Sequence, residues 1–304
     1  MIVLNSLFPI FTLILLGSLL KRYGVTNKTF LDTSDRLVYF IFFPLMLFWK
    51  IGGASNGTRI DWNFCLASLC ALLVMFFLST IIIQLLRITD YQAGSFSQSC
   101  YRFNTYIGMA VILNSLGEAG VRHFGILIGF AIPIINLFAV STLIWFSGQE
   151  VSFRKRSTLA LRALTSNPLI LGCIAGILYA RTIQTFPVFI ENSLRLISMV
   201  TLPLALISIG GSLTFSGLKN HIKLSLAASV LKLLLLPLIG YFLFKAFNVS
   251  GIPFKVGMIF FTLPASTAIY VLSSQLNSDT ELASSSIVLS TTLSFFSLSL
   301  ALLL

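Results

Sequence analysis

The chain is 304 residues long, 57% hydrophobic and only 10% charged, with a mean hydropathy of +0.97. A soluble domain of this length has no use for so much apolar side chain, so the composition excludes one and selects a lipid bilayer as solvent. The net charge of +11 comes from 20 Lys and Arg against 9 Asp and Glu; these residues are scattered over the polar stretches between apolar runs, which fits membrane topology and not a nucleic-acid surface.

About 20 apolar residues cross a hydrocarbon layer roughly 30 Å thick. On that measure ten helical spans are expected, at 2–20, 33–51, 64–86, 94–116, 124–146, 167–180, 189–213, 222–247, 256–276 and 282–304. The first has no basic residue ahead of it and is followed by Lys21 and Arg22, so it reads as a span rather than a cleaved leader. With the N-terminus outside, the odd-numbered loops hold ten basic residues and the even-numbered loops six, so both termini are expected outside a cell membrane. Four of the ten, Arg154, Lys155, Arg156 and Arg162, lie in 148–166, the expected cytoplasmic linker between halves 1–147 and 167–304. Cys65, Cys70, Cys100 and Cys173 fall inside apolar runs, where cysteine acts as a small hydrophobe and not as a disulfide or metal set.

The halves echo each other. Pro9 and Pro168, Gly17 and Gly176, and Pro44 and Pro203 are each 159 residues apart, and Asn104 and Pro264 are 160 apart. Because each half has an odd number of spans, the second enters the membrane from the opposite side, giving the inverted repeat that secondary transporters use.

Two spans are interrupted at matching places. The fourth carries Arg102-Phe103-Asn104-Thr105 ahead of Gly108, and the ninth carries Leu263-Pro264-Ala265-Ser266-Thr267. Proline removes a backbone donor and clashes with the preceding turn, while Asn, Ser and Thr compete for the helix ladder. Either interruption alone reads equally well as an ordinary kink. Together they predict two broken helices whose N-terminal half-charges meet at one place, which suits an anion.

Arg102 is the cation beside this place, there either to hold a carboxylate or to snorkel to the cytoplasmic edge. Lys232, in the eighth span, is a second buried cation with a candidate charge role and no partner identifiable in the sequence. The acids sit elsewhere: Asp32 and Asp35 open the second span beside Arg36, Glu191 opens the seventh, and Asp279 and Glu281 lie in the last loop, all read as helix-end groups. No carboxylate pair of the kind a cation/proton antiporter uses falls within a span. His123 and His221 are expected in loops, and no HExxH pattern or nucleophile–base pair occurs, so neither an enzyme nor a metal site is expected. Gly125-xxx-Gly129 and Gly172-xxx-Gly176 read as close helix contacts.

Several of these pieces, in this order, resemble the auxin efflux carrier family: Arg102 to Gly108, Asn167-Pro168-Leu169-Ile170, Leu202-Pro203-Leu204, Ile209-Gly210-Gly211-Ser212-Leu213, Leu263-Pro264-Ala265, Ala283-Ser284-Ser285 and Ser290-Thr291-Thr292. The resemblance spans the chain and is closest to bacterial malonate and malate permeases, since the long hydrophilic loop of the plant carriers is missing. It implies an all-helical membrane protein of two inverted five-helix repeats, with helices 4 and 9 crossing at the substrate site. It further implies a scaffold of helices 1, 2, 6 and 7, through which a homodimer forms, and a small carboxylate such as malonate, malate or lactate as substrate. By carry-over, Asn104 and Thr105 belong to the first crossover and Pro264, Ser266 and Thr267 to the second, with Arg102 beside them and Gly108, Pro44 and Pro203 in structural roles. Because the fourth span has Gly108 where the family places a proline, a milder first break is expected. No cofactor is expected, and proton or sodium coupling is left open. A cation/proton antiporter of the same fold and a membrane sensor without turnover are the alternatives.

Overall fold

A computed structural model describes residues 1–53, 60–146, 167–183, 185–214 and 217–304, and all regular structure among them is helical. The expected linker 148–166 with its four basic residues, and Arg59, lie outside the described residues.

The N-terminal part comprises α1 (Ile2–Arg22), α2 (Lys28–Leu37), α3 (Phe43–Gly52), α4 (Trp62–Leu85), α5 (Asp90–Tyr101) and α6 (Thr105–Phe146). A π-helical turn, Val38–Phe42, joins α2 to α3 into one continuous run. The C-terminal part comprises α7 (Pro168–Thr182), α8 (Val188–Ser212), α9 (Leu218–Val230), α10 (Leu236–Ala246), α11 (Gly251–Thr262), α12 (Ala268–Gln275) and α13 (Thr280–Leu303), with a second π turn, Leu231–Leu235, between α9 and α10. Each π turn runs directly into a proline, Pro44 or Pro237, at the start of the next helix. Proline has no N–H and crowds the carbonyl one turn back, and widening that turn is how the helix continues past it.

The expected spans lie on helix except where 102–104 interrupts the fourth and 263–267 the ninth, and among the described residues six helical stretches are long and apolar enough to cross a membrane. Helix starts follow from capping: Asn27 accepts from Phe30 N at 2.8 Å, Asp61 from Phe64 N at 3.0 Å and Asp279 from Leu282 N at 2.9 Å. Within α6, Gly117 has φ 62° and ψ −154°, a conformation left to glycine, and it divides the run between the expected fourth and fifth spans. Glu118 beside it accepts from Lys50 at the end of α3.

The helices pack in two groups. α1, α2 and α3 lie against α7 and α8, with α3 on α7 and α1 on α8 as the most extensive contacts. Small residues permit them: a Cβ on Gly17 would collide with the Ile207 carbonyl and one on Gly210 with the Ile14 carbonyl, while one on Gly172 would meet the Pro44 carbonyl at 2.6 Å. The other group joins α4, α5 and α6 to α9 through α13. Its halves are clamped by Ser95, whose hydroxyl hydrogen-bonds with Ser273 at 2.8 Å and Ser278 at 3.1 Å and donates to the Asp279 carbonyl at 2.7 Å.

Two placements depart from expectation. His123 lies within α6, edge-on to Phe64, and His221 within α9, its ring nitrogens 3.8 Å from Asp279 and 3.5 Å from Glu281. Both helices extend beyond the apolar runs that mark the expected spans, α9 starting at Leu218 and α6 continuing through 118–123.

Candidate crossover binding site

The helical ladder stops at two places and resumes beyond each. α5 ends at Tyr101 and α6 starts at Thr105; α11 ends at Thr262 and α12 starts at Ala268. The first break is three residues, 102–104, and the second five, 263–267. The two meet directly, as Asn104 N donates to the Pro264 carbonyl at 2.9 Å. Phe103 and Phe260 pack edge to face at 4.5 Å between ring centres, with Leu263 against Gly108, so the crossing is filled.

Asn104 is 2% exposed and its Oδ1 accepts from Tyr106 N and Ile107 N, both at 3.1 Å. It therefore caps α6 while its backbone holds the opposite break. Ser266 Oγ accepts from Ala268 N at 3.3 Å at the start of α12. Asn167 does the same for α7, accepting from Leu169 N at 3.0 Å and Ile170 N at 3.4 Å. All three residues, together with Arg102, Thr105 and Thr267, line one cavity of about 1060 Å³. Three helix N-termini thus surround a single space, each bearing roughly half a positive charge.

Arg102 is 7% exposed, and it does not snorkel. Its guanidinium donates to Gln98 Oε1 and Asn136 Oδ1, each at 3.1 Å, and among the described residues it forms no ion pair. Two neutral amide oxygens fix its direction and leave its charge uncompensated.

Sequence reasoning missed three members of this site. Gln98 stands four residues before Arg102, the spacing of neighbours on one helix face, and Asn136 is a lone amide in an apolar span. Asp35, read as a helix-end acid, is instead half-buried in the cavity wall, which the exposed Asp32, Lys21 and Lys28 also line. The expectation that acids stay out of the site is therefore corrected: α2 runs without interruption into the π turn and α3, so Asp35 lies within a continuous helical run that lines the cavity.

Of the residues given structural roles, Gly108 lies at the crossing. Pro44 opens α3 against Gly172 and Pro203 lies exposed within α8, so neither is at the crossover. Pro264 contributes its carbonyl and does not line the cavity. Lys232 is 1% exposed, on the π turn before α10, and donates to the Phe261 carbonyl at 3.2 Å. It thereby caps the last turn of α11, on the N-terminal side of the break, while Ser297 donates to the Thr262 carbonyl at 3.1 Å.

Broken helices meeting at one cavity with a buried cation in its wall, inside an apolar helical bundle, are the features of a multi-pass membrane transport protein. Residues 2–302 match the family described as membrane transport protein, and the chain belongs to that family, the auxin efflux carriers. Over 306 aligned residues it is 24% identical to an uncharacterized transporter of Methanocaldococcus jannaschii, spanning 99% of this chain and 98% of that one. The chain is thus a transporter and not an enzyme.

Proposed function

We propose that the protein is a secondary transporter of small organic anions, mono- or dicarboxylates of the size of malonate, malate or lactate, working by alternating access. The observation that carries this reading is the uncompensated Arg102 guanidinium in a cavity ringed by the N-termini of α6, α7 and α12. A carboxylate entering there meets a fixed cation and backbone N–H groups at once, the combination that binds anions most readily.

In this reading the chain makes ten crossings as two inverted five-span repeats over 1–147 and 167–304, with both termini outside. The matching breaks at 102–104 and 263–267 support the repeat. The group of α1, α2, α3, α7 and α8 acts as the scaffold, and the group holding both breaks moves against it; the scaffold's outer face is where a homodimer would form. Lys21 and Lys28, exposed members of the cavity lining, belong to the loops that the charge count assigns to the cytoplasm, so in this reading the cavity opens inward.

The presence of Asp35 in the cavity favours cation/proton antiport as the second reading. Counterflow of radiolabelled malonate, malate and lactate in proteoliposomes separates the two. Accumulation of one of them that Asn104→Asp abolishes supports an anion carrier. If no carboxylate accumulates at any pH or sodium concentration, the anion reading is wrong.

A further inference from the structure

Asp35 lies on α2, one helical turn before Tyr39, in the cavity wall that also holds Arg102 and Asn104. Among the described residues it forms no ion pair, and its sequence neighbour Arg36 is exposed and absent from the wall. Tyr39 is within electrostatic reach of both the Asp35 carboxylate and the Arg102 guanidinium. Tyr106, whose N–H is held by Asn104 in the first turn of α6, is within reach of Asp35 as well. A carboxylate therefore shares one confined space with the groups that would hold a substrate anion.

Two negative charges in such a space repel, more strongly than in water because the walls have a low dielectric. A proton on one of them removes the repulsion. We propose that Asp35 is a proton-linked site: it is ionised in the empty cavity and takes up a proton when an organic anion binds. This rests on the organic-anion reading above. Linkage is reciprocal, so the factor by which the proton strengthens anion binding equals the factor by which the anion strengthens protonation, roughly 5–150-fold for coupled sites of this kind.

The surrounding groups leave Asp35 in this role. On its own helix Asp32 and Arg36 are exposed, where solvent screens them. Lys21 and Lys28 are exposed members of the wall, and Tyr39, Tyr106, Tyr270 and Arg102 complete its titratable groups. α8, packed along α2, presents Ser208 and Gly211 there, and neither titrates. Asp35 belongs to one packing group, and Arg102 and Asn104 to the other. The proton is accordingly taken up and returned on the side to which this cavity opens, so pH on that side governs binding.

The test is calorimetric titration of lactate into the purified full chain at about pH 5.5, just above the carboxyl range, in two buffers of different ionisation enthalpy. The wild type is expected to take up a clear fraction of a proton per lactate bound, approaching one at the upper end of that coupling. Asp35→Asn should take up none and bind with an affinity independent of pH, whereas Asp35→Glu should keep the uptake. Binding without proton uptake in the wild type, or unchanged uptake in Asp35→Asn, overturns the proposal. The wild-type count decides in the same way if Asp35→Asn does not fold. If malonate, malate and lactate all fail to bind, the organic-anion reading itself falls, and this inference with it.

Discussion

Asn104 performs two tasks that a single substitution can separate. Its side chain caps α6 through two hydrogen bonds of 3.1 Å, and its backbone N–H, which no substitution except proline removes, holds the Pro264 carbonyl. Asn104→Asp keeps the acceptor oxygen and places a negative charge at a helix N-terminus, worth about 0.3–1 kcal/mol in favour of the fold. It also places that charge where the substrate carboxylate would sit. At ~6 Å and an effective dielectric constant of ~20, the repulsion is about 3 kcal/mol, or roughly a hundredfold in affinity. Asn104→Ala has the opposite profile: it removes no charge but loses the cap, at a cost of about 0.5–2 kcal/mol. The pair is read by thermal unfolding in detergent and by malonate affinity in the same preparations. Asn104→Asp should melt no lower than wild type and bind at least about a hundredfold more weakly. If it retains wild-type affinity, the helix N-termini do not form the anion site.

Other substitutions test separate parts of the structure. Arg102→Gln removes a buried cation held only by neutral amides and should weaken carboxylate affinity by about 1.5–3 kcal/mol, the worth of one charged hydrogen bond, measured by the same titration. Lys232→Met replaces a buried ammonium by an apolar chain of similar length; exchanging a buried ion for a hydrophobic group is often neutral or stabilising, so the melting temperature should not fall. A clear fall would make Lys232 an obligatory cap of α11. Gly210→Val puts methyl groups against the Ile14 carbonyl, so α1 and α8 must separate and the purified protein should lose well over ~1 kcal/mol. A tag on either terminus should be cleaved by protease added to intact cells, which checks the outward orientation.

The apolar runs of about 20 residues determined by themselves that the chain is a helical membrane protein, because each backbone polar group in lipid must be satisfied within its own segment. The two breaks were legible too: Asn104 with Thr105, and Pro264 with Ser266 and Thr267, are the residue types that compete with or cannot continue a helix, and such competition is local. Tertiary structure alone decided what meets at the breaks. The bond from Asn104 to Pro264 joins residues 160 apart in sequence, and the partners of Arg102 include Asn136 on the far part of α6. Asp35 was misplaced for a related reason: its place in the cavity wall depends on the packing of α2 along α8, which a count of apolar residues does not record. Local propensity fixes where a helix forms and where it fails. Which failures share a cavity, and with which charges, follows from helix packing between segments far apart in the chain.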